Sequence, residues 1–281
     1  MTKFGRLVLA ATLSLVFLSP AIAQRDGQLS AFANRSAGLM HWADHTWVTD
    51  FQLRPTCPTP QADYWYSAGD CHPSGSDKDP RPLSSADADL GVAKCIARPN
   101  EHTFNPGPAT ARIVYGIDGV CHQIANRILA ATGTRDEAPI TVAGARGYRI
   151  SRFVYGEYGT ASQWARLRAE CAVAAVPFPS AHADLFAMTA ESGLQGKMTI
   201  IEKEQDLLRR RIAEIGRRAK SGELASREMA DQMNDAINAS LRRLASMLGA
   251  GDFQRLFDWP AEQEFVLVNP EVAARVKYEK P

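Results

Sequence analysis

Cys121 lies in the stretch YGIDGVCHQIANRIL (residues 115–129), between a glycine-containing turn and what reads as an amphipathic helix. A thiol at a helix N-terminus meets unpaired backbone N–H groups and the positive end of the helix dipole. Both favour thiolate over thiol and make a nucleophile suited to acyl carbons. The same N–H groups are placed to hold the oxyanion that forms on attack. Gly116 and Gly119 let the backbone approach a substrate chain closely.

Such a sulfur needs a base, and six histidines are available. His45 opens DHTWVTDF, whose alternating aromatic and β-branched residues read as a strand, a stiff platform for an imidazole. His72 follows the next strand candidate and reads as the third group, orienting the ring of His45. His182 is a competitor downstream, but it follows the prolines of PFP and starts a helix rather than a strand. His122 leaves the helix about 100° around from Cys121, so it reads as a wall of the site rather than the proton acceptor. His122, Gln123, Trp47 and Trp65 are the candidate substrate contacts. The polar residues Gln123, Asn126 and Arg127 also fit the ordinary polar face of a helix, and the aromatic cluster also fits sheet packing.

A metal reading rests on His41 and His45, four apart in HWADH. That segment lacks the glutamate of H-E-x-x-H, and Trp47, Val48 and Phe51 favour a strand that turns the two histidines apart. No metal and no cofactor are expected.

HTWV at 45–48, followed far downstream by GVCHQIANRIL at 119–129, resembles the circularly permuted branch of the NlpC/P60 papain-like superfamily. In that branch the histidine strand precedes the cysteine helix. The resemblance covers residues 40–160. It implies an α+β papain-like fold, a small antiparallel sheet packed on a cysteine-bearing helix. It also implies a Cys–His pair with a third polar residue that cleaves or transfers acyl groups at peptide bonds or lipid esters. His45 and Cys121 match that pattern, and His72 is the third member. All five cysteines follow the first 23 residues, and sequence alone leaves their pairing open. The expected structural set is Cys57, Cys71, Cys95 and Cys171, with Cys121 free.

The elements that must position these groups follow from pattern. Strands are expected at 45–53, 63–69 and 109–117, loops at 55–60, 70–89 and 98–108, and a short helix or strand at 90–97. Helices are expected from Cys121 to Ala131 and over 161–175, with a glycine-punctuated β-rich stretch at 140–159. Residues 24–40 read as a polar, alanine-rich and partly helical lead-in. Residues 197–221 and 223–248 carry apolar stripes at three- and four-residue steps, with a bend at Ser221-Gly222, and read as an antiparallel helical hairpin. A short tail follows, strand-like at 265–268.

Lys3 and Arg6, the apolar run Leu7–Leu18 and Ala21-Ile22-Ala23 form a three-part export signal, with the mature chain starting at Gln24. The expected segments are a signal peptide (1–23), a papain-like catalytic domain (24–190), a helical hairpin (191–250) and a C-terminal tail (251–281), in a periplasmic or secreted protein. The formal net charge is +1, too balanced to argue for nucleic acid. No stretch is long and apolar enough for a stable membrane span. The expected function is a thiol-dependent hydrolase or acyltransferase acting on a peptide, lipid or protein acyl substrate. The rival is a non-enzymatic, disulfide-stapled envelope protein that binds a protein partner through its helical hairpin.

Overall fold

The computed structural model describes residues 26–34, 43–50, 81–97, 111–174 and 181–274. Within them the chain is mixed α+β, with one three-stranded antiparallel sheet followed by helices. The strands are β1 (Gly27–Asn34), β2 (His45–Thr49) and β3 (Arg81–Ala88), in the order β2-β1-β3. The expected export signal and the expected strand at 63–69 lie outside the described residues.

Two of these strands correct the sequence reading. The expected partly helical lead-in is the central strand β1, buried from Leu29 to Ala33. A strand covered on both faces needs no polar side, so the alternation that marks half-exposed strands is missing. The expected loop at 70–89 holds β3, whose sequence RPLSSADA has little β propensity. β3 is an edge strand, where Pro82 costs little because one row of donors has no partner to serve. Phe32 pairs with Pro82 and Ala31 with Ser84, so Leu83 is the extra residue of a bulge.

In β2, Trp47 pairs with Phe32 and stacks on it at 5.9 Å. His45 stacks on Trp47 at 5.8 Å, which puts both rings on one face of the strand, two residues apart. Thr46 and Val48 are fully buried.

α1 (Leu90–Ile96) starts at Asp89, whose carboxylate accepts Val92 N–H at 2.9 Å. A disulfide joins Cys95 on α1 to Cys171, just past α4 (Ala161–Glu170). α2 (Cys121–Leu129) bears the cysteine. The expected strand at 109–117 is instead a set of turns in its described part. Asp118 takes the amide of Val114 at 3.2 Å, Gly116 N–H donates to Gly119 O at 2.8 Å, and Gly116 sits at φ +79. The expected β-rich stretch contains α3 (Tyr148–Tyr155), bounded by Gly147 at φ 80 and Gly156 at φ 81. All its residues but Arg149 are buried, so packing overrides the weak helix propensity of its aromatic and β-branched side chains.

α5 (Ala181–Glu191) leads into the helical hairpin, α6 (Met198–Lys220) and α7 (Ser226–Leu248). The bend falls at Ser221-Gly222, with Gly222 at φ 78. Ile201, Leu208, Ile212 and Ile215 of α6 bury against the same core as Met229, Met233, Ile237, Leu241 and Leu244 of α7. The buried carboxylate of Glu204 is gripped by Arg243 at 2.6 Å. α8 (Ala250–Phe257) and α9 (Pro270–Ala273) complete the described residues, α8 replacing part of the expected tail.

Between α8 and α9 an extended strap runs along α7. Asn238 exchanges two hydrogen bonds with Phe265, and Asn234 accepts from Leu267 and Val268 while donating to Val268 O at 2.8 Å. Two amide side chains thus serve the strap as a neighbouring strand would. From the other side Ala43 N–H donates to Val266 O at 3.1 Å, and Phe265 packs over Gly147. The strap joins the arm to the segment that leads into β2.

Candidate functional site

The sulfur of Cys121 lies at the edge of β2 that faces away from β1. Asp44 shows how: its N–H donates to Arg146 O at 3.0 Å, and its carbonyl accepts the Cys121 thiol at 3.5 Å. Asp44 and Thr46 are two apart, so their backbone groups point the same way, and Thr46 N–H also reaches the sulfur. The edge of an outer strand is a row of unpaired groups. Here the first turn of α2 takes it up.

Burial pushes the Cys121 thiol above its ordinary pKa. Hydrogen bonds from Thr46 N–H, the Thr46 hydroxyl and His122 N–H act in the opposite direction, and the Asp44 carboxylate adds to the rise. The resting sulfur is therefore a thiol whose anion already has three donors aimed at it. It is a free cysteine, 7 % exposed.

Local sequence explains how α2 begins here. Val120 is extended at φ −124, and the Gln123 side chain reaches back to Val120 N–H at 3.1 Å. This is half of a capping box, since valine has no acceptor to return.

His122 is wholly buried. Its Nε2 lies 3.0 Å from Asp44 O and its Nδ1 2.8 Å from Ser151 Oγ. A carbonyl only accepts, so Nε2 carries the proton. Burial lowers the pKa of His122 to about 4, with a smaller push from the charge of His45, so the ring is neutral and Nδ1 accepts from Ser151. Ser151 Oγ also lies 2.8 Å from Tyr148 O, but its single proton serves one acceptor at a time. The Asp44 carbonyl thus carries both the thiol and the imidazole.

The carboxylate of Asp44 faces two guanidinium groups. Arg81 Nη2 is 3.2 Å from Oδ2 and Arg146 Nε is 3.4 Å from Oδ1, while Arg146 N–H donates to Oδ2 at 2.9 Å.

The polar face of α2 is buried, not the solvated face its composition suggests: Gln123, Asn126 and Arg127 are 0 % exposed. Gln123 Nε2 donates to Gly156 O at 3.1 Å and to Ser151 Oγ at 3.3 Å. Asn126 accepts from Val142 N and donates to Glu157 O and the Tyr148 hydroxyl. Arg127 donates to Ala111 O, Tyr158 O and Thr160 O and lies over the Trp164 ring. Burial lowers its pKa to about 9, against the opposing pull of Asp118. These side chains hold the loops around the helix.

Of the residues singled out from sequence, Cys121, His122 and Gln123 open α2, and His45 and Trp47 belong to the strand docked on it. His72 and Trp65 lie outside the described residues, as do Cys57, Cys71 and His41. His182 is remote in its bonding, its Nδ1 paired with Glu202 at 2.7 Å on the exposed arm. Sequence reasoning passed over Asp44, Thr46, Ser151, Arg81 and Arg146. Only Asp44 and Thr46 carried a signal, as the immediate neighbours of His45. Among the described residues no group of three or more His, Cys, Asp or Glu side chains could hold a metal ion, and no helix is long and apolar enough to cross a membrane.

A cavity of about 250 Å³ is lined by Ile117, Asp118, residues 154–161, Asp184, Arg209, Ile212 and Ala213. Its walls do not include Cys121. Comparison with family models, with curated proteins and with solved structures finds no match to this chain.

Proposed function

We propose that the chain is an exported thiol-dependent hydrolase or acyltransferase with a papain-like arrangement, Cys121 as nucleophile and His45 as base. One observation carries the reading: the sulfur of a free cysteine, at a helix N-terminus, touches Asp44 and Thr46, the two residues that flank His45. The Thr46 hydroxyl that reaches the sulfur belongs to the face of β2 opposite the His45 ring, so the reading requires His45 to reach around the strand edge. The effect of His45 on the charge of His122 supports its nearness to the start of α2.

In the proposed cycle His45 takes the thiol proton as sulfur attacks the acyl carbon, and the first-turn amides of α2 hold the oxyanion. The imidazolium then protonates the departing amine or alcohol, leaving a thioester. Water or an amine, deprotonated by His45, releases the acyl group and restores the thiol. Because burial raises the pKa of Cys121, proton transfer accompanies attack rather than preceding it.

Incubation with p-nitrophenyl acetate tests the reading by intact-mass and peptide mapping. The expected result is a hydroxylamine-sensitive acetyl group on Cys121 that is absent from Cys121→Ser. Equal acetylation of the variant, or none of the wild type, overturns it.

A binding role for the arm is the second reading. Among the described residues the exposed large hydrophobic side chains, Phe186, Ile200, Leu207 and Met247, all lie on α5, α6 and α7.

A further inference from the structure

The cavity walled by residues 154–161, Asp184 and one face of α6 has walls of two kinds. Ile117, Val154, Ile212 and Ala213 give it an aliphatic side, and Asp118, Glu157, Asp184 and Arg209 a charged one. At about 250 Å³ it falls just below the ~300–1,000 Å³ of pockets for drug-sized ligands, so it suits a molecule of about ten non-hydrogen atoms.

Two of the four carboxylates and guanidinium groups are already occupied. Asp118 accepts from Val114 N–H, Thr160 Oγ1 and Gln163 Nε2. Asp184 accepts from Arg152 Nε at 2.6 Å and from Glu157 N–H at 3.0 Å, one bond to each oxygen. The other two have capacity left. Arg209 donates from Nε to Val154 O at 3.1 Å and from Nη2 to Phe153 O at 3.4 Å, and among the described residues Nη1 has no acceptor. A guanidinium carries five N–H groups in a rigid fork, so donors remain for a carboxylate. The Glu157 carboxylate is 17 % exposed and accepts no hydrogen bond among the described residues. Its nearest cation, Arg152 Nη2, is 3.7 Å away, and Arg152 is shared with Asp184 and Glu191. Burial pushes the Glu157 pKa up, Arg152 opposes the rise, and the charges of Asp184 and Glu191 add to it, so a second cation would be welcome there.

The two signs lie close together. A β-carbon on Gly156 would stand 3.6 Å from Asp184 Oδ2 and 3.9 Å from Arg209 Nη2, so these groups face each other across one small gap. A ligand with a carboxylate alone would bring its charge beside Asp118, Glu157 and Asp184, and an amine alone would face Arg209. A molecule bearing one group of each sign meets both ends and leaves the charge of the cavity unchanged.

We propose that this cavity binds a free aliphatic α-amino acid, its ammonium group at Glu157, its carboxylate at Arg209 and its side chain against Ile117, Val154 and Ile212. The site does not involve Cys121 and stands apart from the thiol reading.

Isothermal titration calorimetry of the intact protein near neutral pH tests it. The probes are L-leucine, L-valine and L-methionine, with isocaproate and isoamylamine as the two halves of leucine, one lacking the ammonium group and the other the carboxylate. The expected result is saturable binding of at least one amino acid, with each half weaker than leucine by about tenfold or more, as loss of one charge-assisted pair gives. Arg209→Met and Glu157→Gln each lower the amino-acid affinity by about tenfold or more. Ala213→Trp, at an exposed position on the cavity wall, fills the space without touching a charge and abolishes binding. The comparison of leucine with its halves on the wild type keeps the test decisive if a variant folds poorly. The proposal is overturned if none of the three amino acids gives saturable heat, if either half binds as tightly as leucine, or if all three variants bind as the wild type does.

Discussion

Replacing His122 with glutamine should remove an acid sensitivity that the fold carries. In the native state the ring is wholly buried, with a pKa lowered from 6.5 to about 4. Unfolded, it returns to about 6.5. Between those two values the unfolded chain binds a proton that the folded chain refuses, so stability falls as pH falls. The contribution of neutral His122 is intact above about pH 6.5 and is lost as pH drops towards 4 and below. At about 1.4 kcal/mol per tenfold change in proton affinity, the full window is worth about 3.4 kcal/mol, of which about 3 is lost by pH 4. Glu157 acts oppositely, since burial raises its pKa, and other carboxylates overlap the window, so absolute stability is a poor reporter. The difference between wild type and His122→Gln is the right one, because it cancels them. Urea unfolding at half-unit steps from about pH 7.5 to about pH 4 measures it. The expected difference shrinks by about 3 kcal/mol over that span. A difference flat in pH would refute the neutral ring, and with it the assignment of the Ser151 proton to Nδ1.

Removing the Cys95–Cys171 disulfide by double serine substitution frees a segment of 76 residues, which costs about 4.5 kcal/mol by loop entropy and should appear as a lower urea midpoint. Arg127→Met deprives the carbonyls of Ala111, Tyr158 and Thr160 of their donors and should cost about 3 kcal/mol or more in the same assay. Gly147→Ala meets both a left-handed φ of 80 and the ring of Phe265, so it should lose about 2 kcal/mol or more and loosen the strap that holds Ala43. Hydrogen exchange at Ala43 N–H reports that loosening.

The hairpin and the cysteine helix were legible because each carries a long, one-sided apolar stripe, as in Ile201, Leu208, Ile212 and Ile215. The freedom of Cys121 from the Cys95–Cys171 bridge agrees with the expected division of the cysteines. β1 was not legible because a strand buried on both faces loses its alternation. α3 keeps a one-sided helical pattern, but its aromatic and β-branched residues and the glycines at 147 and 156 read as strand. β3 was hidden by its composition, which an edge position tolerates. At the site, the sequence pointed to types and not to partners. Asp44 looked like a polar neighbour of His45, yet its backbone and side chain gather residues 81, 121, 122 and 146. Pairings across such gaps exist only after folding. Arg127 and Asn126 misled in another way, since a polar helix face normally means solvent and here means buried carbonyls.

The most direct measurement is the acetylation rate of Cys121 by p-nitrophenyl acetate from about pH 5 to about pH 10, in wild type and in His45→Ala. A base at His45 requires a rate that rises with deprotonation of an imidazole, below the range where a buried thiol ionises, and that loses this limb in His45→Ala. The account is contradicted if both proteins react only as the thiol itself ionises, along one shared curve.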